Sequence, residues 1–98
     1  MNSKLKSSEM DQLFQAILSL QSVEECYAFF EDICTASELL AIAQRLEVAK
    51  LLSHDIKYQE IGEKTGASSA TISRVARALR YGEEGYNLVL ERLKNNKE

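Results

Sequence analysis

The chain has 98 residues, 45% hydrophobic and 28% charged, with no Pro and no Trp, which fits one globular domain with a limited core of its own. No stretch approaches the apolar length of a membrane span, and the polar Met1–Met10 lacks the apolar run of a signal peptide, so the expected compartment is the cytoplasm. The net charge of −3 would exclude nucleic acid only if evenly spread, but residues 1–56 carry −5, residues 57–81 carry +3 and residues 82–98 carry −1, a local basic segment in an acidic chain.

Met10, Leu13, Phe14, Ile17 and Leu18 recur at three- and four-residue spacing and predict a first, amphipathic helix. Ser22, with Glu25 three residues on, predicts a capping box opening a second. That helix carries Val23, Cys26, Tyr27, Phe29, Phe30, Ile33 and Cys34, an apolar surface too broad for one stripe. A helix apolar on most sides needs partners on most sides, and in so short a chain the available partner is a second copy. At a rise of ~1.5 Å per residue Cys26 and Cys34 stand roughly 12 Å apart, too far for a bridge within the chain. They read as reduced core thiols, with bridges between two copies as the alternative.

Thr35-Ala-Ser-Glu38 is a second capping box. It opens a third helix that runs to about Leu52 through Leu39, Leu40, Ile42, Ala43, Leu46 and Ala49. Ser53-His54-Asp55 breaks the pattern. A short fourth helix spans about Tyr58–Thr65 and stops at Gly66. A fifth starts near Ser68, runs to about Arg80 and ends at Gly82, the place expected of a C′ glycine. A sixth covers about Gly85–Lys94 with Tyr86, Val89, Leu90 and Leu93 inward, and the tail Asn95–Glu98 is expected to fray. No repeat or low-complexity linker divides residues 1–98, which read as a single all-α domain.

The segment from Tyr58 to Leu79 meets the requirements of a helix-turn-helix, two helices crossing steeply about a short turn. Ile61 points from the first helix into the core. Gly62 is small enough for the second helix to pack close. Gly66 supplies a left-handed turn. Ser68 or Ser69 caps the second helix, and Ile72, Val75 and Leu79 anchor it from behind. Ser69, Ala70, Thr71, Ser73, Arg74, Arg77 and Arg80 then face outward. Small hydroxyl residues let that end enter a major groove of double-stranded DNA, and free N–H groups there suit phosphate oxygens. Lys64, Arg74, Arg77 and Arg80 can neutralise phosphates, with Lys57 beside them. Gln59 can reach a phosphate or a base edge. The competing readings are a pair of core helices with a glycine turn, and a helical dimer that uses the motif to bind protein. The second separates from DNA binding by its salt dependence.

An enzyme is not expected. His54 is the only histidine and falls in a loop, the cysteines lack metal-ligand spacing, and no glycine loop cradles phosphate. The serines read as caps, and Tyr27, Tyr58, Tyr81 and Tyr86 as packing residues with wet hydroxyls.

The stretches Thr35-Ala-Ser-Glu-Leu-Leu-Ala-Ile-Ala-Gln-Arg-Leu-Glu-Val-Ala49, Tyr58-Gln-Glu-Ile-Gly62, Thr65-Gly-Ala-Ser-Ser-Ala-Thr-Ile-Ser-Arg74 and Tyr81-Gly-Glu-Glu-Gly-Tyr86 resemble the Trp repressor superfamily, in its YerC/YecD branch. The resemblance covers about Thr35–Leu93 well and the first two helices more loosely. It implies an all-α, six-helix, Trp-repressor-like fold that forms an intertwined homodimer. Residues 1–56 and 82–94 would form the dimerisation core and residues 57–81 the DNA-reading head. It further implies a palindromic operator with half-sites about one helical turn apart. In the family, two arginines and a threonine hold a tryptophan corepressor. Arg45, Arg74 and Thr35 occupy the matching places here. However, Val75 replaces the glycine beside the indole and Ala78 the serine near the amino group. Both departures shrink or depolarise the pocket and speak against tryptophan, leaving a small amino-acid-like effector as the ligand implied. Read without the resemblance, Arg45 is a surface ion-pairing residue beside Glu38 or Glu47.

Overall fold

The structure is a computed structural model and describes residues 3–96. Its regular structure is helical throughout those residues: α1 (Ser8–Leu18), α2 (Val23–Ile33), α3 (Ala36–Ser53), α4 (Tyr58–Thr65), α5 (Ser69–Tyr81) and α6 (Gly85–Asn95). The chain divides into two compact units, one ending at Leu39 and the other beginning at Leu40. Of the predicted tail, Asn95 closes α6 and Asn96 caps it, whereas Lys97 and Glu98 lie outside the described residues.

The helix starts follow from local hydrogen bonding. Ser7 Oγ accepts from the Met10 N–H and begins α1. Ser22 Oγ accepts from the Glu25 N–H, and Glu25 Oε1 accepts in return from Gln21, one residue before the cap. The Thr35–Glu38 box is fully reciprocal, each side chain accepting from the other's N–H. Each box satisfies donors that a helix N-terminus otherwise leaves without partners.

The unit ending at Leu39 contains no buried residue among those described. Phe29 and Phe30 meet edge to face at 5.4 Å, but Phe14, Leu18, Val23, Tyr27 and Ile33 are exposed, Leu18 at 76%. The thiols are free, with Cys26 exposed and Cys34 half-buried. Neither is a core thiol of the single chain, because nothing in this unit is thick enough to cover it.

The unit beginning at Leu40 has a core. Val48 and Ala49 of α3, Ile61 of α4, Ala67, and Ile72 and Val75 of α5 are buried together. Leu51, Leu52, Ile56, Leu79, Tyr86 and Leu90 pack around them. Fully burying a side chain such as Ile61 or Ile72 contributes about 1.5–3 kcal/mol. Gln44 Nε2 donates to the Thr65 carbonyl oxygen and joins α3 to the end of α4. On α6, Tyr86 and Leu90 reach this core, whereas Val89 and Leu93, expected inward, are exposed. An eleven-residue helix buries one stripe against one neighbour, and the rest of its apolar surface stays uncovered in a single copy.

Two turns and one helical glycine depart from their sequence expectation. α3 ends in a Schellman motif: the Ile56 N–H donates to Leu51 O and the Asp55 N–H to Leu52 O, which puts Asp55 at the left-handed position usually held by glycine, with φ 60°. Gly82 caps α5, but with φ −86° it is not left-handed. Its glycine is steric, since a Cβ there would stand 2.4 Å from the Ala78 carbonyl oxygen. Gly62 was expected to be small for close packing. A Cβ there would meet Ala67 O at 3.5 Å and Ile72 Cδ1 at 3.9 Å, ordinary contact distances, so the helices do not need its smallness.

Candidate nucleic-acid interface

Helices α4 and α5 are joined by Gly66, Ala67 and Ser68. Gly66 is left-handed, φ 75° and ψ 3°, and its N–H donates to Gly62 O to close α4. Thr65 Oγ1 donates to Ile61 O at 2.8 Å and accepts from the Ala67 N–H at 3.1 Å, which ties the turn back onto α4. Ala67 is buried beneath it. Ser68, rather than Ser69, caps α5: its Oγ accepts from the Thr71 N–H at 3.1 Å.

Behind α5, Ile72 and Val75 are buried and Leu79 is half-buried, as the three- and four-residue spacing predicts. The opposite face carries Ser69, Ala70, Ser73, Arg74, Arg77 and Arg80, all exposed. Thr71 departs from the expectation. It is half-buried, and its hydroxyl lies 3.1 Å from Ser68 Oγ, inside the cap. It stiffens the end of the helix rather than standing free on it. The N–H groups of Ser69 and Ala70 find no acceptor among the described residues, the usual state of a first helical turn.

α5 contains no acidic residue. Arg74, Arg77 and Arg80 make no ion pair among the described residues. The three arginines line a groove of about 480 Å³ together with Ser73, Tyr58 and Tyr81. Tyr58 and Tyr81 are exposed, Tyr81 at 74%, and do not pack as expected. Tyr81 falls four residues after Arg77 and seven after Arg74, so helical spacing alone places it on the arginine face. On α4, Lys57 and Gln59 are exposed at the N-terminal end. Lys64 is exposed too, but its Nζ lies 3.2 Å from Glu60 Oε2, one turn back. Its charge is already compensated, a pairing that the four-residue spacing also carries.

The three residues expected to hold an effector are not placed alike. Thr35 is the capping residue of α3 and its Oγ1 accepts from the Glu38 N–H. Arg45 is half-buried on α3 and pairs with neither Glu38 nor Glu47. Arg74 lines the outward groove on α5. Val75 is buried at 1% exposure among Val48, Ile61 and Ile72, so its isopropyl group occupies space that a glycine would leave open. No helix among the described residues is long and apolar enough to cross a membrane.

The family model for the Trp repressor protein matches residues 8–94. The chain is 54% identical over 91 residues to the uncharacterized protein YerC of Bacillus subtilis (strain 168), a match covering 93% of this chain and 88% of YerC. A crystal structure of a TrpR-like protein from Eubacterium eligens ATCC 27750 is 56% identical, with a TM-score of 0.91 over 99% of this chain and 100% of that one. A candidate Trp repressor from Staphylococcus aureus is 44% identical, with a TM-score of 0.90 over 97% of this chain and 95% of its own.

Proposed function

The chain belongs to the Trp repressor family, and from that membership we propose that it is a transcriptional repressor that binds a palindromic duplex operator as a homodimer. The observation that carries the proposal is the outward side of α5, where Arg74, Arg77 and Arg80 stand exposed and free of ion pairs among the described residues. The same helix is held from behind by Ile72 and Val75. A helix with one buried side and one cationic, acid-free side suits the major groove as the second helix of a helix-turn-helix. Ser69, Ala70 and Ser73 keep its N-terminal end slim, and the free Ser69 and Ala70 N–H groups supply phosphate donors. Lys57 and Gln59 at the start of α4 contact the flanking backbone, and Lys64 contributes after releasing Glu60.

The homodimer is supported by the apolar surface left uncovered in one copy: Phe14, Leu18, Val23, Tyr27, Ile33, Leu40, Ile42, Leu88, Val89 and Leu93 are all exposed. Residues 1–56 and 82–94 build the shared core in this reading and residues 57–81 the reading head. Two residues speak against tryptophan as the corepressor. Val75 is buried at the place where the family has a glycine, and Ala78 offers no hydroxyl. Arg45, half-buried and without an ion pair among the described residues, is the group left for a smaller amino-acid-like effector.

Selection of bound sequences from random duplex DNA tests the proposal. The expected result is a dyad-symmetric consensus with half-sites about one helical turn apart, ~34–36 Å centre to centre, whose affinity is the same with and without tryptophan. Failure to enrich any sequence, together with salt-insensitive capture of a protein partner, would overturn it in favour of an interaction module.

A further inference from the structure

The groove on the outward side of α5 holds two aromatic residues that the core does not use. Tyr58 opens α4 and Tyr81 closes α5, and both line the groove beside Arg74, Arg77 and Arg80. Tyr58 is 48% exposed and Tyr81 more so. Neither ring belongs to the cluster around Val48 and Ile61. Neither hydroxyl takes a hydrogen-bond partner among the described residues. Both residues lie in the segment 57–81 read as the DNA-binding head, outside the segments read as the dimer core.

No carboxylate lines this groove. Guanidinium groups only donate, and the hydroxyls of Tyr58, Tyr81 and Ser73 can donate too, so the lining suits an anion rich in acceptor oxygens. Position along α5 then divides the contacts. From Ser69 to Tyr81 the helix extends about 18 Å at ~1.5 Å per residue, whereas the major groove is about 12 Å wide. With the slim Ser69 end inserted, Arg77, Arg80 and Tyr81 stand at the rim, over the sugar-phosphate backbone. Tyr58 falls between Lys57 and Gln59, the residues assigned above to the flanking backbone.

We propose that Tyr58 and Tyr81 are phosphate-seating residues of the reading head. Each phenol donates its O–H to a backbone phosphate oxygen and lays its ring against the adjoining deoxyribose, while Arg77 and Arg80 neutralise the neighbouring charge. The inference rests on the DNA-binding reading and adds an uncharged component to it. Arginine contacts weaken as salt rises because they release counterions; a phenol releases none. Contacts of this kind position a protein on the duplex and carry no sequence information.

The test is duplex binding by the full chain and its Tyr58→Phe and Tyr81→Phe variants, measured by fluorescence anisotropy at several salt concentrations. Both side chains are exposed, so phenylalanine leaves the packing unaltered. A dimer loses two hydrogen bonds in each variant, and affinity should fall about tenfold. The fall should be equal on a selected operator and on arbitrary sequence, with the slope of log K against log salt unchanged. The chain has four Tyr and no Trp, so tyrosine emission is a second readout: the duplex should quench it in the wild type and less in the double variant. The inference is overturned if either variant binds as the wild type does, or if the salt slope changes. It is also overturned if a single strand binds more tightly than the duplex and loses affinity with Tyr81→Leu but not with Tyr81→Phe, the mark of base stacking. Absence of duplex binding by the wild type overturns the DNA reading and the inference together, whereas wild-type binding matched by both variants overturns the inference alone.

Discussion

Replacing Arg77 and Lys64 in turn distinguishes a phosphate-reading face from a merely basic one. Each protomer offers three arginines free of ion pairs among the described residues, Arg74, Arg77 and Arg80, and one lysine already held by Glu60 at 3.2 Å. A dimer therefore brings six such arginines to a duplex. If each neutralises one phosphate, log K falls against log salt with a slope of about −5. Arg77→Ala removes one contact per protomer and should reduce the slope by about 1.8. Lys64→Ala should change it by less than half as much, because Lys64 approaches the duplex together with the negative charge of Glu60. Glu60→Gln frees Lys64, removes that charge and should tighten binding. Fluorescence anisotropy of a labelled duplex of arbitrary sequence is sufficient, since this electrostatic component does not depend on sequence. A slope near zero would refute the reasoning, as would a Lys64→Ala effect equal to that of Arg77→Ala.

Two glycines in one motif should respond oppositely to alanine. Gly62→Ala, helical and with room for a Cβ, should stabilise by about 0.5–1 kcal/mol, while Gly66→Ala, left-handed at φ 75° with nothing within 4 Å, should destabilise by about 1 kcal/mol through the backbone alone; urea denaturation at one protein concentration reads both. Thr35→Ala removes the reciprocal cap of α3 and should cost about 1 kcal/mol in the same assay, without altering tryptophan sensitivity. The thermal midpoint should rise with protein concentration, as for any protein whose folded state is a dimer, and a midpoint constant over a hundredfold dilution would contradict the shared core.

What the sequence made legible was local. Ser22 and Glu25, Thr35 and Glu38, and the left-handed Gly66 act within one turn of themselves, so their spacing is enough to place them. The anchoring of α5 by Ile72 and Val75 was readable from period alone. Other features depend on more than spacing. Asp55 behaves as a C′ residue because Leu51 and Leu52 present carbonyl groups to the turn, whereas Asp in a sequence signals turns and caps of many kinds. Gly82 looks like a left-handed stop, and only the position of Ala78 O reveals a steric requirement. Val89 and Leu93 have core periodicity, but periodicity does not say whose core. Tyr81 and the Glu60–Lys64 pair were open to the helical spacing rule, and aromatic residues read by default as packing groups conceal such a placement.

The helix α3 concentrates this difference between one chain and two. Its eighteen residues extend about 27 Å at ~1.5 Å per residue. Toward its C-terminal end Val48 and Ala49 are completely buried, while nearer the N-terminus Leu40 is 71% exposed and Ile42 is exposed as well. Ordering a residue costs about 1–2 kcal/mol of backbone entropy. The unit ending at Leu39 has no buried side chain among its described residues to offset that cost, whereas the unit beginning at Leu40 buries Val48, Ile61, Ile72 and Val75. In the proposed dimer, association and the stabilisation of α1 and α2 are then one event, and the shape of each reading head is set independently of it. Protein concentration would govern how two finished heads are spaced on an operator, and the arginines of α5 would govern how firmly each one holds.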